Sequence, residues 1–148
     1  MNISASTMNS FLPALAMVLL FSAASLAQTP SAGTRVILKG YDPVAYFKQN
    51  KAVKGASENS FDWDEGRYLF SSGNNKQTFS QNPDRYAPQF AGFCTAGIAK
   101  GMKAEANPEV FMVVDGKLYT FSSIKAKEAA QADPALFARA AKSWQEKK

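Results

Sequence analysis

The chain has one cysteine, Cys94, and no histidine. No disulfide can close within a single copy, and the residue that most often serves as metal ligand and general base is missing. A domain built from this sequence must therefore stand on its hydrophobic core.

The N-terminal residues dictate a separate reading. Met1 to Ser10 are polar and are followed by an apolar run, Phe11-Leu-Pro-Ala-Leu-Ala-Met-Val-Leu-Leu-Phe21. Small residues at Ser25 and Ala27 then form the small-x-small pattern that a signal peptidase reads, which predicts a signal peptide over 1–27, cleavage before Gln28, and a periplasmic or secreted product. The first charged side chain is Arg35, so the α-amino group alone charges the leading segment. The apolar run is 11 residues long and contains Pro13. A bilayer needs about 20 apolar residues, so no stable membrane span is expected after cleavage. No cysteine follows the small residues to carry a lipid. Residues 28–33 are small and polar and read as a flexible leader, leaving 34–148 for one domain.

The charged residues, 17 basic against 12 acidic, give a net charge of +5. The lysines are dispersed, as on an ordinary solvated surface, and this spacing argues against nucleic acid as a partner.

Along the domain, Arg35–Lys39 reads as a short strand, and Asp42-Pro43 as the cap and first residue of a helical turn. Ser60–Asp64 and Arg67–Ser71, flanking Glu65-Gly66, read as a β-hairpin. Asn74–Gln81 reads as a helix stopped at Asn82-Pro83, and Asp84–Phe90 as a turn-rich link. Val110–Val114 and Lys117–Phe121, joined by Asp115-Gly116, give the strongest hairpin signal. Asp133-Pro134 opens a last helix whose apolar stripe is Leu136, Phe137, Ala140 and Trp144. No internal repeat is visible in the residues themselves. The expected fold is α+β: a small single domain with two β-hairpins and about three or four short helices.

Four segments, in order, resemble the YHS domain family: Gly40-Tyr-Asp-Pro-Val-Ala-Tyr-Phe47, Gly66-Arg-Tyr-Leu-Phe-Ser71, Phe79-Ser-Gln-Asn-Pro-Asp-Arg-Tyr86 and Ala87-Pro-Gln-Phe-Ala-Gly-Phe-Cys94. The Asp115–Tyr119 hairpin and Trp144 are similar to the exported branch of that family, in which the domain stands alone behind a signal peptide. The resemblance implies a binding or accessory module linked to metal handling, with copper as one candidate. Members with a metal pattern carry cysteines where this chain has Ala45 and Ser71, and a His-Cys pair where it has Asn74 and Asn75.

The donors left for a soft metal are few. Cys94 and Met102, eight residues apart, form the candidate metal pair, with Met112 read as strand core. Cys94 as the nucleophile of a thiol enzyme would need activation without histidine, and Lys100 is the nearest base in sequence. Asp62, Asp64 and Glu65 form a carboxylate cluster without the loop of a calcium site. Asp42 and Asp84 make a notional acid–base pair, each at a helix start. Tyr41, Asp42, Tyr46, Tyr86 and Phe93 are the candidate ligand-binding residues, able to hold a small apolar or cofactor-like molecule if the fold gathers them. No particular cofactor is specified. The primary expectation is a non-catalytic YHS-type module, with a metal-free ligand binder and a thiol enzyme as alternatives.

Overall fold

The computed structural model describes residues 33–147. The expected signal peptide, and the leader apart from Gly33, lie outside the described residues. Among the described residues no helix is long and apolar enough to cross a membrane.

A two-residue strand, β1 (Arg35–Val36), leads into a tight turn over Ile37–Gly40. The longer strand expected through Lys39 does not form, because Leu38 and Lys39 turn left-handed with φ of 53° and 50°. Helix α1 (Pro43–Gln49) follows, capped by the Asp42 side chain, which accepts from Val44 N. Strands β2 (Ala56–Trp63) and β3 (Gly66–Phe70) form the first hairpin, and β1 joins β3 in parallel. The turn is Asp64-Glu65, both left-handed, one residue earlier than expected. Gly66 serves instead for close approach: a Cβ there would lie 2.5 Å from Ile37 Cγ1.

Helix α2 (Gly73–Gln81) is capped by Ser72, and α3 (Pro83–Tyr86) is one turn opened by its proline. A second tight turn (Gln89–Gly92) precedes α4 (Thr95–Ala99). Strands β4 (Asn107–Val114) and β5 (Lys117–Phe121) form the second hairpin, with Asp115 and Gly116 left-handed as an Asp-Gly turn requires. Helix α5 (Ile124–Ala132), capped by Ser123, and α6 (Ala135–Gln145) complete the domain. The α+β class and both hairpins are as expected. The helices number six among the described residues, because prolines and serine caps start short helices within segments that read as links.

The order of elements is a repeat that residue identities conceal. Turn, helix, hairpin, capped helix and proline-started helix occur once from Ile37 to Tyr86 and again from Gln89 to Gln145. The details coincide. Leu38, Lys39 and Gly40 have φ of 53°, 50° and 85°, and Phe90, Ala91 and Gly92 have 55°, 50° and 74°. Asp42 N donates to Val53 O and Cys94 N to Ala104 O, both at 2.8 Å. Both hairpins shift register at the same place, between Ala56 and Ser60 in one and between Asn107 and Phe111 in the other. Ser72 and Ser123 each cap a nine-residue helix.

Each half has its own core. The first gathers Val44, Tyr46, Tyr68, Phe70 and Phe79, and the second Cys94, Ile98, Tyr119, Phe121 and Leu136. The halves are locked across the middle. Leu118 of β5 is buried in the first core, the rings of Tyr46 and Phe111 meet at 4.7 Å, and Tyr46 Oη donates to Pro108 O at 2.9 Å. The alternation of β5 makes this possible, since Leu118 and Tyr119 point to opposite faces.

Candidate functional site

The positions at which the resemblance would place metal ligands lie at a hydrogen-bond cluster centred on Asp42. This side chain is fully buried. One carboxylate oxygen caps α1 through Val44 N at 2.9 Å. The other accepts from Ser71 N at 2.9 Å, Ser71 Oγ at 2.6 Å and Asn75 Nδ2 at 2.7 Å. The chain order explains the arrangement: Asp42 precedes α1, Ser71 follows β3, and Asn75 lies in the first turn of α2. A buried carboxylate is tolerable only with such donors around it. Asn74, the adjacent motif position, is exposed and faces Thr78. Ala45 is buried in α1 and has no donor atom.

The donor set fits neither the copper that the resemblance implies nor zinc. Two neutral oxygen or amide groups and a carboxylate, already hydrogen-bonded to one another, are poor partners for soft ions. Among the described residues no group of three or more histidine, cysteine, aspartate or glutamate side chains stands ready to hold a metal.

Cys94 occupies in the second half the place of Asp42 in the first, immediately before a helix. It is 2 % exposed, and its thiol donates to Ser122 Oγ at 3.4 Å, where Ser122 corresponds to Ser71. Met102 stands 55 % exposed on the loop after α4. The candidate metal pair is thus one buried thiol and one solvent-facing thioether. Lys100, the proposed activating base, caps α4 through its backbone N–H. Met112 packs against the second core from β4, as expected of a strand residue.

The candidate ligand-binding residues separate. Tyr46 is buried, and burial, then the neighbouring Tyr41 and Asp42, raise its phenol well above the usual range. Tyr41 lies partly buried under Lys54, and Tyr86 packs edge-on against Phe47 at 5.4 Å. Phe93 lines a cleft of about 380 Å³ with Arg35, Glu65, Lys103 and Trp144. The Arg35 guanidinium lies 4.0 Å over the Phe93 ring and donates to Ala91 O at 2.6 Å. The cleft shares Asp64, Ala91 and Trp144 with a second of about 260 Å³, walled by Trp63, Tyr68 and Phe90. Tyr41, Asp42, Tyr46 and Tyr86 line neither cleft.

The other carboxylates have separate roles. Asp62 pairs with Arg67 at 2.6 Å and 2.7 Å, and this hydrogen bonding holds its carboxyl below the usual range. Asp64 and Glu65 are exposed in the turn, and Asp84 is exposed on α3, away from the buried Asp42. Sequence reasoning found Asp42 as a cap but missed Ser71 and Asn75 as its partners. The missed signal is Phe-Ser-Ser at 70–72 and again at 121–123, each before a nine-residue helix that ends one residue before Asn82-Pro83 or Asp133-Pro134. Comparison with family models, curated proteins and solved structures returned no match.

Proposed function

We propose that this chain is an exported, non-catalytic binding module of the YHS type in which hydrogen bonds replace the metal ligands of other members. The order of the four motif segments supports the family. The observation that carries the reading is the Asp42 cluster: Ser71 and Asn75, at two of the ligand positions, are both engaged by one buried carboxylate. Ala45, at a third, offers no donor. Catalysis has little support, since the one thiol is buried against a serine and no histidine exists to activate it. The function left is recognition of a small ligand by the clefts.

Competition titration with a Cu(I) chelator, and a zinc titration, on wild type and Cys94→Ser test the metal side. Neither protein should take up metal stoichiometrically against the chelator. Tight binding that survives Cys94→Ser would refute the reading of the motif positions, and tight binding lost in that variant would restore metal handling through Cys94. Export is tested by the intact mass of secreted protein, which should begin at Gln28. A full-length chain held at the membrane would refute cleavage.

A further inference from the structure

The two halves of the repeat end differently, and the difference builds a cleft between them. Helix α3 is four residues long and its counterpart α6 eleven, so α6 runs on past the point where α3 stops. The added turns carry Trp144 to the first half, where it closes a cleft of about 260 Å³ with Trp63, Tyr68, Phe90, Asp64 and Asp84. The rings come as two pairs, one from each half. Trp63 and Tyr68 have centroids 6.2 Å apart, and Phe90 and Trp144 have centroids 6.0 Å apart. Both tryptophans are half-buried, so each leaves part of its ring to the cleft.

The polar groups here are of one kind. None of the lining residues is basic. Asp64, in the left-handed hairpin turn, and Asp84, in α3, are exposed and enter no salt bridge among the described residues. Tyr68 is 3 % exposed, yet among the described residues its hydroxyl has no hydrogen-bond partner in the protein. No fully enclosed side-chain polar atom there lacks a partner, so this hydroxyl opens into the cleft that its residue lines. Buried phenols ordinarily find a partner, and one that faces a cleft leaves the partner to be supplied by what enters it. Burial, then the Asp64 carboxylate, raises the phenol above its ordinary range, so it is a neutral group in the field of a negative charge. Arg35, in the adjoining cleft, opposes that field, but its guanidinium is paired with Glu105 and donates to Ala91 O.

We propose that this cleft binds a small organic ammonium ion that carries at least one N–H bond. The inference deepens the reading of the clefts as ligand sites and rests on it for its biological meaning. An N–H of the ligand donates to Tyr68 Oη, Asp64 and Asp84 supply the counter-charge, and the cation lies against an indole face. The chain's own cations already use such faces: Arg35 lies 4.0 Å over Phe93, and Lys103 Nζ lies 5.1 Å over Trp144. Trp63 has no such cation among the described residues, which makes it the indole left for the ligand. A cavity of about 150 Å³ accepts benzene, so one of about 260 Å³ accommodates a ring with a short aminoalkyl chain.

Titration of 2-phenylethylammonium chloride into the chain from Gln28 to Lys148 tests the site. Tryptophan fluorescence reads it, because the chain's two tryptophans both line the cleft. A saturable change is expected, and neutral 2-phenylethanol should bind about tenfold more weakly or worse. Asp64→Asn combined with Asp84→Asn removes both charges at exposed positions, and should weaken the ammonium about tenfold without moving the alcohol. Tyr68→Phe loses no hydrogen bond within the protein. It should weaken 2-phenylethylammonium about tenfold and leave its N,N,N-trimethyl derivative, which has no N–H, unchanged. Equal binding of the alcohol, an ammonium affinity unchanged in either folded variant, or no saturable change at all would each overturn the proposal. Displacement of the amine by an equal concentration of calcium chloride would overturn it in favour of an inorganic cation. The two readings fail separately: absent amine binding leaves the metal titrations as they stand, and tight metal binding leaves the amine result intact.

Discussion

Replacing Asp42 by alanine removes the acceptor of four hydrogen bonds at once. Loss of the α1 cap alone costs about 1 kcal/mol. Ser71 N–H, on an exposed residue that water can reach, and one N–H of the buried Asn75 then lose their carboxylate, and a buried donor left unsatisfied costs about 1–3 kcal/mol. The Ser71 hydroxyl can rotate, and Asn75 retains a weak contact to Ser71 Oγ at 3.4 Å, so the low end applies to both. The sum is about 2–3 kcal/mol, a large part of the roughly 5–15 kcal/mol that holds a small domain together. With a urea dependence of about 2 kcal/mol per molar, the unfolding midpoint should fall by about 1–1.5 M. Asp42→Asn should lie between, because its amide keeps one oxygen but turns donors toward donors. Urea unfolding followed by tryptophan fluorescence and circular dichroism measures both. A loss below about 1 kcal/mol for Asp42→Ala, the value of a simple exposed cap, would refute the idea that the cluster ties α1, β3 and α2 together.

Phe79→Ala should destabilise by about 3–5 kcal/mol, since a fully buried ring in contact with four others is removed; urea unfolding decides, and a loss below about 1 kcal/mol would contradict that packing. Cys94, being 2 % exposed, should react with a thiol reagent slowly in the native protein and rapidly in denaturant, and fast native labelling would refute its burial. Burial raises the phenols of Tyr46 and Tyr68 above their ordinary values, with nearby negative groups adding to it. Their contribution to stability is therefore complete below about pH 10 and declines as the pH rises above it. In an ultraviolet titration these two should ionise only with unfolding, and reversible ionisation of all five tyrosines near pH 10 in the folded state would refute this.

Local physical chemistry made much of the fold legible in the sequence. Asp115-Gly116 specified its hairpin because two left-handed residues in succession favour that pair, and Asp42-Pro43 specified the start of α1 because a side-chain acceptor and a fixed φ are both local properties. Helix α5 was missed because its polar face hides a stripe that buries only Ala130 fully. The repeat was missed because a backbone is preserved by φ values, caps and registers while the side chains filling it differ, as Phe79 and Ala130 do. The site depended on contacts that no local pattern encodes. Asp42 meets Ser71 and Asn75 across separations of 29 and 33 residues, and Cys94 meets Ser122 across 28. Sequence alone determined which residues could cap, turn and alternate; only the packing of two halves decided which polar groups meet and which rings share a cleft, because burial and hydrogen-bond satisfaction are properties of the whole core.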